Sequence, residues 1–379
     1  MGALCCYAHA ALIPVYLQHL EITQFRNLQH LSLRPHRKTN FIIGPNGAGK
    51  TSILESVSVL SSGRSFRTPD FKKLVTQGHL KTVVFARIVK QDGRVTGVGF
   101  SKDLKGGIEA RADGLRLNRV SDLAKLVPAL SIDTGSVEFI EGGPSVRRAG
   151  IDWGLFHVEQ PFLDTWYQYR TALRQKLALL RKPGPQDKHQ LRYWNKQLVI
   201  HGEVLDSMRY QYVTSLADVL KGISNNLDMT NKDISMVYKP GWPKDNWNSF
   251  QECLDKKLDV EIERRGCLYG PHRADLDILW GGTLCKDICS RGQKKLVLYA
   301  VRLAQVALMI RITDQAPILL LDDLPAEMDT SNLVNIARIL ENMPCQSFIS
   351  AIDTESISGP LTDRLKEHAM FHVEHGALK

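Results

Sequence analysis

The sequence has little of what would place the chain across a membrane or staple it with disulfides. No stretch approaches eighteen unbroken apolar residues, so no spanning helix is expected. Residues 1–14, MGALCCYAHAALIP, are apolar but too short to cross a bilayer, and they lack the basic start of a secretory signal. They read as a weakly ordered extension. Gly2 lacks the Ser or Thr four positions on that a myristoylation site requires. The 7 cysteines are odd in number and form no regularly spaced framework, which points to a reducing, cytoplasmic setting. Cys285 and Cys289 come nearest to a metal pair, but no second pair follows. His368, His372 and His375 fall in an expected terminal strand and its exit, and neither group is read as a metal site. Internal repeats, low-complexity segments and heptads of coiled-coil length are missing.

What is present is a chain of 379 residues, 43% hydrophobic, enough for two domains or one α/β domain with an insertion. Its 49 Lys and Arg against 40 Asp and Glu leave a formal charge of +9, which favours a polyanionic partner, nucleic acid first.

Alternation over residues 16–33 around FRN predicts a strand pair, and FIIGPNGAGKTSILESV (41–57) predicts a buried strand, a glycine turn and a helix from Lys50 to about Leu60. Period-two stretches between 80 and 120, broken by glycine turns, predict an antiparallel sheet. Helical patterns then dominate from 152 to 226, interrupted at KPGPQDK; a strand-like ISMVY and a helix over about 249–265 follow. GPHRADLDILW returns to strand periodicity, and PILLLDD has the look of a strand buried on both faces. The expected division is an extension (1–14), a nucleotide domain in two parts (15–150 and 266–379) and a compact helical arm (151–265) inserted between them.

Three segments carry chemistry. Gly44, Pro45, Asn46, Gly47, Ala48, Gly49, Lys50 and Thr51 match G-x-x-x-x-G-K-[ST] without a mismatch. Glycine is needed there because backbone N–H groups must approach phosphates closely; Lys50 is expected at the β- and γ-phosphates, Thr51 at Mg²⁺, and Ser52 in the helix N-terminus behind them. Asp322 and Asp323, at the end of the apolar run 318–321, supply a metal-holding carboxylate and a base or orienter for the attacking water. Ser290, Arg291, Gly292 and Gln293 open a long helix and offer a hydroxyl, a glycine N–H and a helix N-terminus to an anion; the plain alternative is a helix cap. This last segment resembles the signature of ATP-binding-cassette ATPases, which in that superfamily binds the γ-phosphate of ATP held by the other subunit. The resemblance implies an α/β fold of the ABC-type P-loop ATPase head, a mixed sheet plus an antiparallel β layer.

EITQFRN, GPNGAGKTSILE, GRSFRT (63–68), GGPSVRRAGIDW (142–153), GPHRADL (270–276), SRGQKK and LLLDDLPAEMD together resemble, in order, the landmarks of the bacterial RecF family of recombination and repair proteins. The resemblance covers the chain from about residue 15 onward. It implies an ATP- and Mg²⁺-dependent homodimer that binds double-stranded DNA near single-strand gap junctions, works with RecO and RecR in loading recombinase, and serves replication-fork maintenance and the SOS response. It also implies that Arg26 and Asn27 contact nucleotide and that Asp329 faces the partner subunit. The chain departs from the family pattern at residues 132–135, which lack a Pro-acid pair, and at Asp353, which stands where other ABC ATPases have a switch histidine. Asp323 replaces the usual Glu, from which slow turnover is expected.

For DNA the basic stretch 170–196 is the electrostatic candidate, through Arg170, Arg174, Lys176, Arg181, Lys182 and Arg192, with a solvated helix face as the alternative. Trp166, Tyr167, Tyr169, Tyr193 and Trp194 nearby are read mainly as core. Arg64, Arg67, Arg147 and Arg148 are left open between nucleotide, DNA and ion pairs. The competing reading of the whole chain is the ATPase subunit of a membrane transporter, which shares the phosphate loop, signature and acidic strand; the inserted basic arm and GPHRADL stand against it.

Overall fold

Two kinds of strand, told apart by their burial, build the first of two compact units. The computed structural model describes residues 15–227, 229, 233–247 and 249–379; the leading extension 1–14 lies outside them. Thr39–Ile43, Ile318–Leu321 and Ser347–Ala351 are buried at every position, as strands covered on both faces must be. They lie side by side in a sheet ordered Ala377–Leu378, His368–Glu374, Thr39–Ile43, Ser347–Ala351, Ile318–Leu321, Ala129–Ile132, parallel throughout except for the terminal hairpin. The second sheet alternates buried and open positions. It runs Leu28–Leu33, Tyr16–Phe25, Lys81–Val89, Val95–Asp103, Ile108–Ala112, Leu115–Arg116, all antiparallel. The helix Lys50–Ser62 is buried almost all round, and its Ile53, Leu54, Val57 and Leu60 share one core with Leu20, Val84 and Phe100 of the antiparallel sheet and Ile42, Leu320 and Phe348 of the parallel one.

The chain divides by contact into a unit of residues 15–137, 222–227 and 290–379 and a unit of 138–221 and 233–289. The inserted unit is therefore wider than the expected 151–265. The strand Asp275–Trp280, expected to rejoin the nucleotide domain, pairs instead with Ile234–Lys239 and Thr283–Leu284 in an antiparallel sheet of the inserted unit. Periodicity announces a strand but not its partner; after this sheet the chain passes to the first unit at Ser290. The helix expected over 249–265 is two short ones, Phe250–Lys256 and Leu258–Glu263, broken at Lys257.

The inserted unit contains the helices Pro144–Val158 and Phe162–Arg181 and most of Lys188–Asn226. Its distinctive sequences hold one another. Arg147 grips Asp275 through two hydrogen bonds, Nε to Oδ1 at 2.7 Å and Nη2 to Oδ2 at 3.0 Å, and Arg148 donates to the Ala274 carbonyl at 2.6 Å. Arg209 pairs with Asp152 through Nε and Nη2, each at 2.8 Å, and donates from Nη1 to the Pro271 carbonyl at 2.7 Å. Thus GGPSVRRAGIDW and GPHRADL are two halves of one clamp, and Arg147 and Arg148 serve internal contacts. His272, in the same turn, donates from Nε2 to the Cys267 carbonyl at 3.1 Å, which leaves Nδ1 to accept from the Tyr169 hydroxyl at 2.7 Å.

Burial lowers the pKa of His272 from 6.5 to about 4. The unfolded chain then binds a proton between pH 6.5 and 4 that the folded chain refuses, so this group's stabilisation is full above pH 6.5 and is lost as pH falls toward 4, by up to about 3 kcal/mol. Urea unfolding followed across that window should show the decline, and His272→Gln should lessen it, the remainder coming from His157, which burial likewise lowers to about 4.

Candidate nucleotide-binding site

The phosphate loop owes its shape to two close approaches. A Cβ at Gly44 would lie 2.2 Å from the Val373 carbonyl oxygen, and one at Gly49, where φ is +117°, would lie 2.8 Å from Leu28 Cδ2. Side chains then fix the loop. Asn27 Nδ2 donates to the Gly47 carbonyl at 3.1 Å, and Asn27 Oδ1 accepts from Ser52 Oγ at 2.8 Å. Lys50 Nζ curls back to the carbonyls of Gly44 at 2.7 Å and Pro45 at 3.2 Å. Its pKa is lowered by burial, against the opposing pull of Asp323 and Asp322.

The acidic pair comes to this loop through the parallel register. Thr51 Oγ1 donates to Asp322 Oδ1 at 3.0 Å, and Ser350 Oγ donates to the same oxygen at 2.7 Å. Ser350 Oγ also accepts the Asp323 N–H at 2.7 Å, where Asp323 turns the chain in the left-handed region at φ 55°. Burial raises the pKa of both carboxyls; the hydroxyl donors oppose the rise at Asp322, and the neighbouring Asp322 charge adds to it at Asp323.

These groups line one cleft of about 900 Å³, together with Arg26, Asn27, Asn46, Arg67, Asp133 and Thr134. Its volume lies in the range of small-molecule sites. Arg26 is tied by Nε and Nη2 to Glu55 at 2.9 and 2.7 Å; that carboxylate is fully buried and also accepts from Ser65. Among the described residues no group of three or more His, Cys, Asp or Glu is gathered as a metal site. A hydroxyl and a carboxylate, Thr51 and Asp322, are hard oxygen donors of the kind Mg²⁺ takes when phosphates complete its shell.

Ser290 to Gln293 do not line this cleft. Ser290 and Gln293 form a capping box on the helix Arg291–Thr313: Ser290 Oγ accepts the Gln293 N–H at 3.3 Å, and Gln293 Oε1 accepts the Ser290 N–H at 2.9 Å. Capping uses a lone pair of Oγ and leaves its proton available to an anion. Ser290, Arg291, Gly292 and Gln293 are all exposed. Long and apolar enough by composition to cross a membrane, this helix is mostly buried within the protein. Asp329 is exposed and caps the helix Thr330–Glu341, accepting from the Asn332 N–H at 2.8 Å. Asp353 is exposed, accepts the Ser356 N–H at 2.8 Å, and does not line the cleft. Reading the sequence missed Ser350, Glu55 and Asp133. Register alone reveals Ser350, because Leu321 pairs with Ile349 and the next residues on each strand are Asp322 and Ser350.

The profile described as RecF/RecN/SMC N terminal domain matches residues 16–375. The "DNA replication and repair protein RecF" of Azotobacter vinelandii is 35% identical over 363 residues, covering 96% of this chain and 98% of that protein. The chain belongs to the RecF family. The protein of the same name from Shewanella frigidimarina is 35% identical over 360 residues, covering 95% and 98%. Among solved structures, the recombination mediator protein RecF with ATP superposes with a TM-score of 0.87 at 23% identity, covering 98% of this chain and 99% of that one. An Smc head domain from Pyrococcus furiosus reaches 0.58 at 14%, with 96% and 95% covered, so the ATPase-head fold is shared. RecF membership removes the ground for the transporter-subunit reading.

In the basic stretch, one expected residue is misplaced. Arg170, Arg174 and Arg181 are exposed at i, i+4 and i+11 on the helix Phe162–Arg181, within about 40° of one another around its axis. Lys182 and Arg192 are exposed too. Lys176 instead lies with Tyr169, Ala172 and Leu180 on the opposite, buried face, where its Nζ meets Glu261 Oε2 at 2.5 Å with both side chains fully buried. Glu261 Oε1 accepts the Leu268 N–H at 2.8 Å. Lys176 is therefore unavailable to DNA. Of the nearby aromatics Tyr169 is core, whereas Tyr167 and Tyr193 are 44% and 53% exposed, and Arg170 stacks over Trp166 at 4.5 Å. Lys176→Ala strands a buried carboxylate and should cost about 3–5 kcal/mol in denaturant unfolding, whereas Arg174→Ala should shift stability by less than about 0.5 kcal/mol.

Proposed function

We propose that the chain is an ATP-dependent DNA-binding protein of recombinational repair and replication-fork maintenance. Two copies associate head to tail around ATP and clamp double-stranded DNA near single-strand gaps. The observation that carries this reading is the division of the phosphate-binding groups: the phosphate loop and acidic strand converge on one cleft, while Ser290–Gln293, a ready anion site, lies outside the cleft of its own chain. A second copy supplies the missing segment. Support comes also from the relatives' names as DNA replication and repair proteins and from solved RecF structures with ATP and ATPrS described as belonging to the RecFOR pathway. RecO and RecR are accordingly the expected partners, and the cytoplasm the expected compartment.

Within the cleft, the amides of Gly44–Thr51 cradle phosphates, Lys50 neutralises them, and Asn27 and Ser52 hold the loop. Arg26, fixed by Glu55, presents its remaining edge to the nucleotide. Thr51 and Asp322 are the residues that would hold Mg²⁺, which supplies charge neutralisation on the phosphates. Asp323 orients water; its raised pKa suits a group that takes a proton during turnover. Asp329 faces the partner subunit. Hydrolysis removes the ligand shared by two copies and releases the clamp.

Sizing by light scattering with ATP and Mg²⁺ should show a dimer that ADP does not support. Ser290→Ala should abolish that dimer while leaving nucleotide affinity of the single chain within about twofold, the lost cap costing about 1 kcal/mol of folding stability. A normal ATP-dependent dimer in Ser290→Ala would end the shared-site reading. Changing Arg170, Arg174 and Arg181 together to Ala should weaken duplex binding equally across sequences and reduce the salt slope by roughly 0.9 for each phosphate no longer neutralised. An unchanged slope would clear that face of DNA.

A further inference from the structure

We infer that Ser350 is a positioning residue for ATP hydrolysis, a single hydroxyl that sets the carboxylate of Asp322 and the backbone of Asp323 together. This rests on the nucleotide-hydrolysis reading of the cleft. Ser350 is fully buried on the strand Ser347–Ala351, one strand over from the acidic one. The hydrogen-bond direction is forced. Asp323 N can only donate, so at 2.7 Å it occupies a lone pair of Ser350 Oγ, and the one hydroxyl proton goes to Asp322 Oδ1, also at 2.7 Å.

The bridge sits where the ladder runs out. Leu321 is the last residue of its strand and pairs with Ile349; past it the chain turns at Asp323, with φ 55° and ψ 34°. The left-handed turn takes the Asp323 N–H out of the regular ladder, and the Ser350 hydroxyl receives it in place of a backbone carbonyl. The turn that aims Asp323 and the carboxylate that Thr51 also contacts are thus held by one atom. A small side chain without a hydroxyl would fill the space yet leave the Asp323 N–H without its acceptor and remove one of the two hydroxyl donors from Asp322 Oδ1.

Three substitutions separate the hydroxyl from its volume: Ser350→Ala, Ser350→Thr and Ser350→Val, the last two being nearly the same shape. With the full chain, kcat for ATP should fall roughly 10- to 100-fold in Ala and Val, with KM and ATP affinity measured in EDTA within about twofold. Thr should recover most of the rate. Independently of activity, hydrogen exchange at the Asp323 amide should speed up about tenfold in Ala and Val and stay slow in Thr. Parent-like kcat in Ala and Val, or a Thr variant as slow as Val, overturns the inference, as does an Asp323 amide whose exchange ignores the hydroxyl. Asp323→Asn is measured beside them. If it hydrolyses ATP at the parent rate, the role given to Asp323 fails and the inference with it; if it is slow while Ser350→Val is fast, only the inference fails.

Discussion

The hydrogen bond from Thr51 to Asp322 joins two parts of the chain that lie far apart in sequence. One end belongs to a helix opened by a glycine turn, the other to a strand of unbroken apolar residues. Each is dictated locally, but the cleft exists only because a parallel sheet sets their strands in one register, with Ser347–Ala351 between them. Parallel sheets bury both faces, and the partial burial this brings at the strand end raises the pKa of both carboxyls. The electrostatics of the site are thus a consequence of the layer that builds it.

Much of this was legible from residue order. The phosphate loop, the acidic strand and both sheets follow from glycine spacing and from the contrast between continuous and alternating apolar runs. Charge counting failed at Lys176, because a tally along the chain ignores direction around a helix; Tyr169, Ala172 and Leu180 mark its face as core. Strand periodicity failed to place Asp275–Trp280, because pairing partners are chosen by tertiary contact. Ser350 escaped notice for a related reason. A serine inside an apolar strand carries no motif, and its importance appears only once Leu321 and Ile349 are set opposite each other.

No residue of GGPSVRRAGIDW or GPHRADL lines the nucleotide cleft. Arg147 and Arg148 are spent on Asp275 and the Ala274 carbonyl, while Arg209 of the helix Lys188–Asn226 holds Asp152 and the Pro271 carbonyl, all within the inserted unit. Such bidentate, largely buried pairs fix geometry more than they add stability. In this chain those two sequences brace the inserted unit and line no part of the cleft.

The hydrogen bond between Thr51 and Asp322 spans 271 residues of sequence. During synthesis at about 5–20 residues per second, the strand Thr39–Ile43 must therefore wait some tens of seconds for neighbours that the ribosome has not yet made. The interruption delivers a unit that can close its own core meanwhile, but the waiting strand offers open edges to any other nascent chain. A protein built this way asks more of chaperones at its first third than at its last.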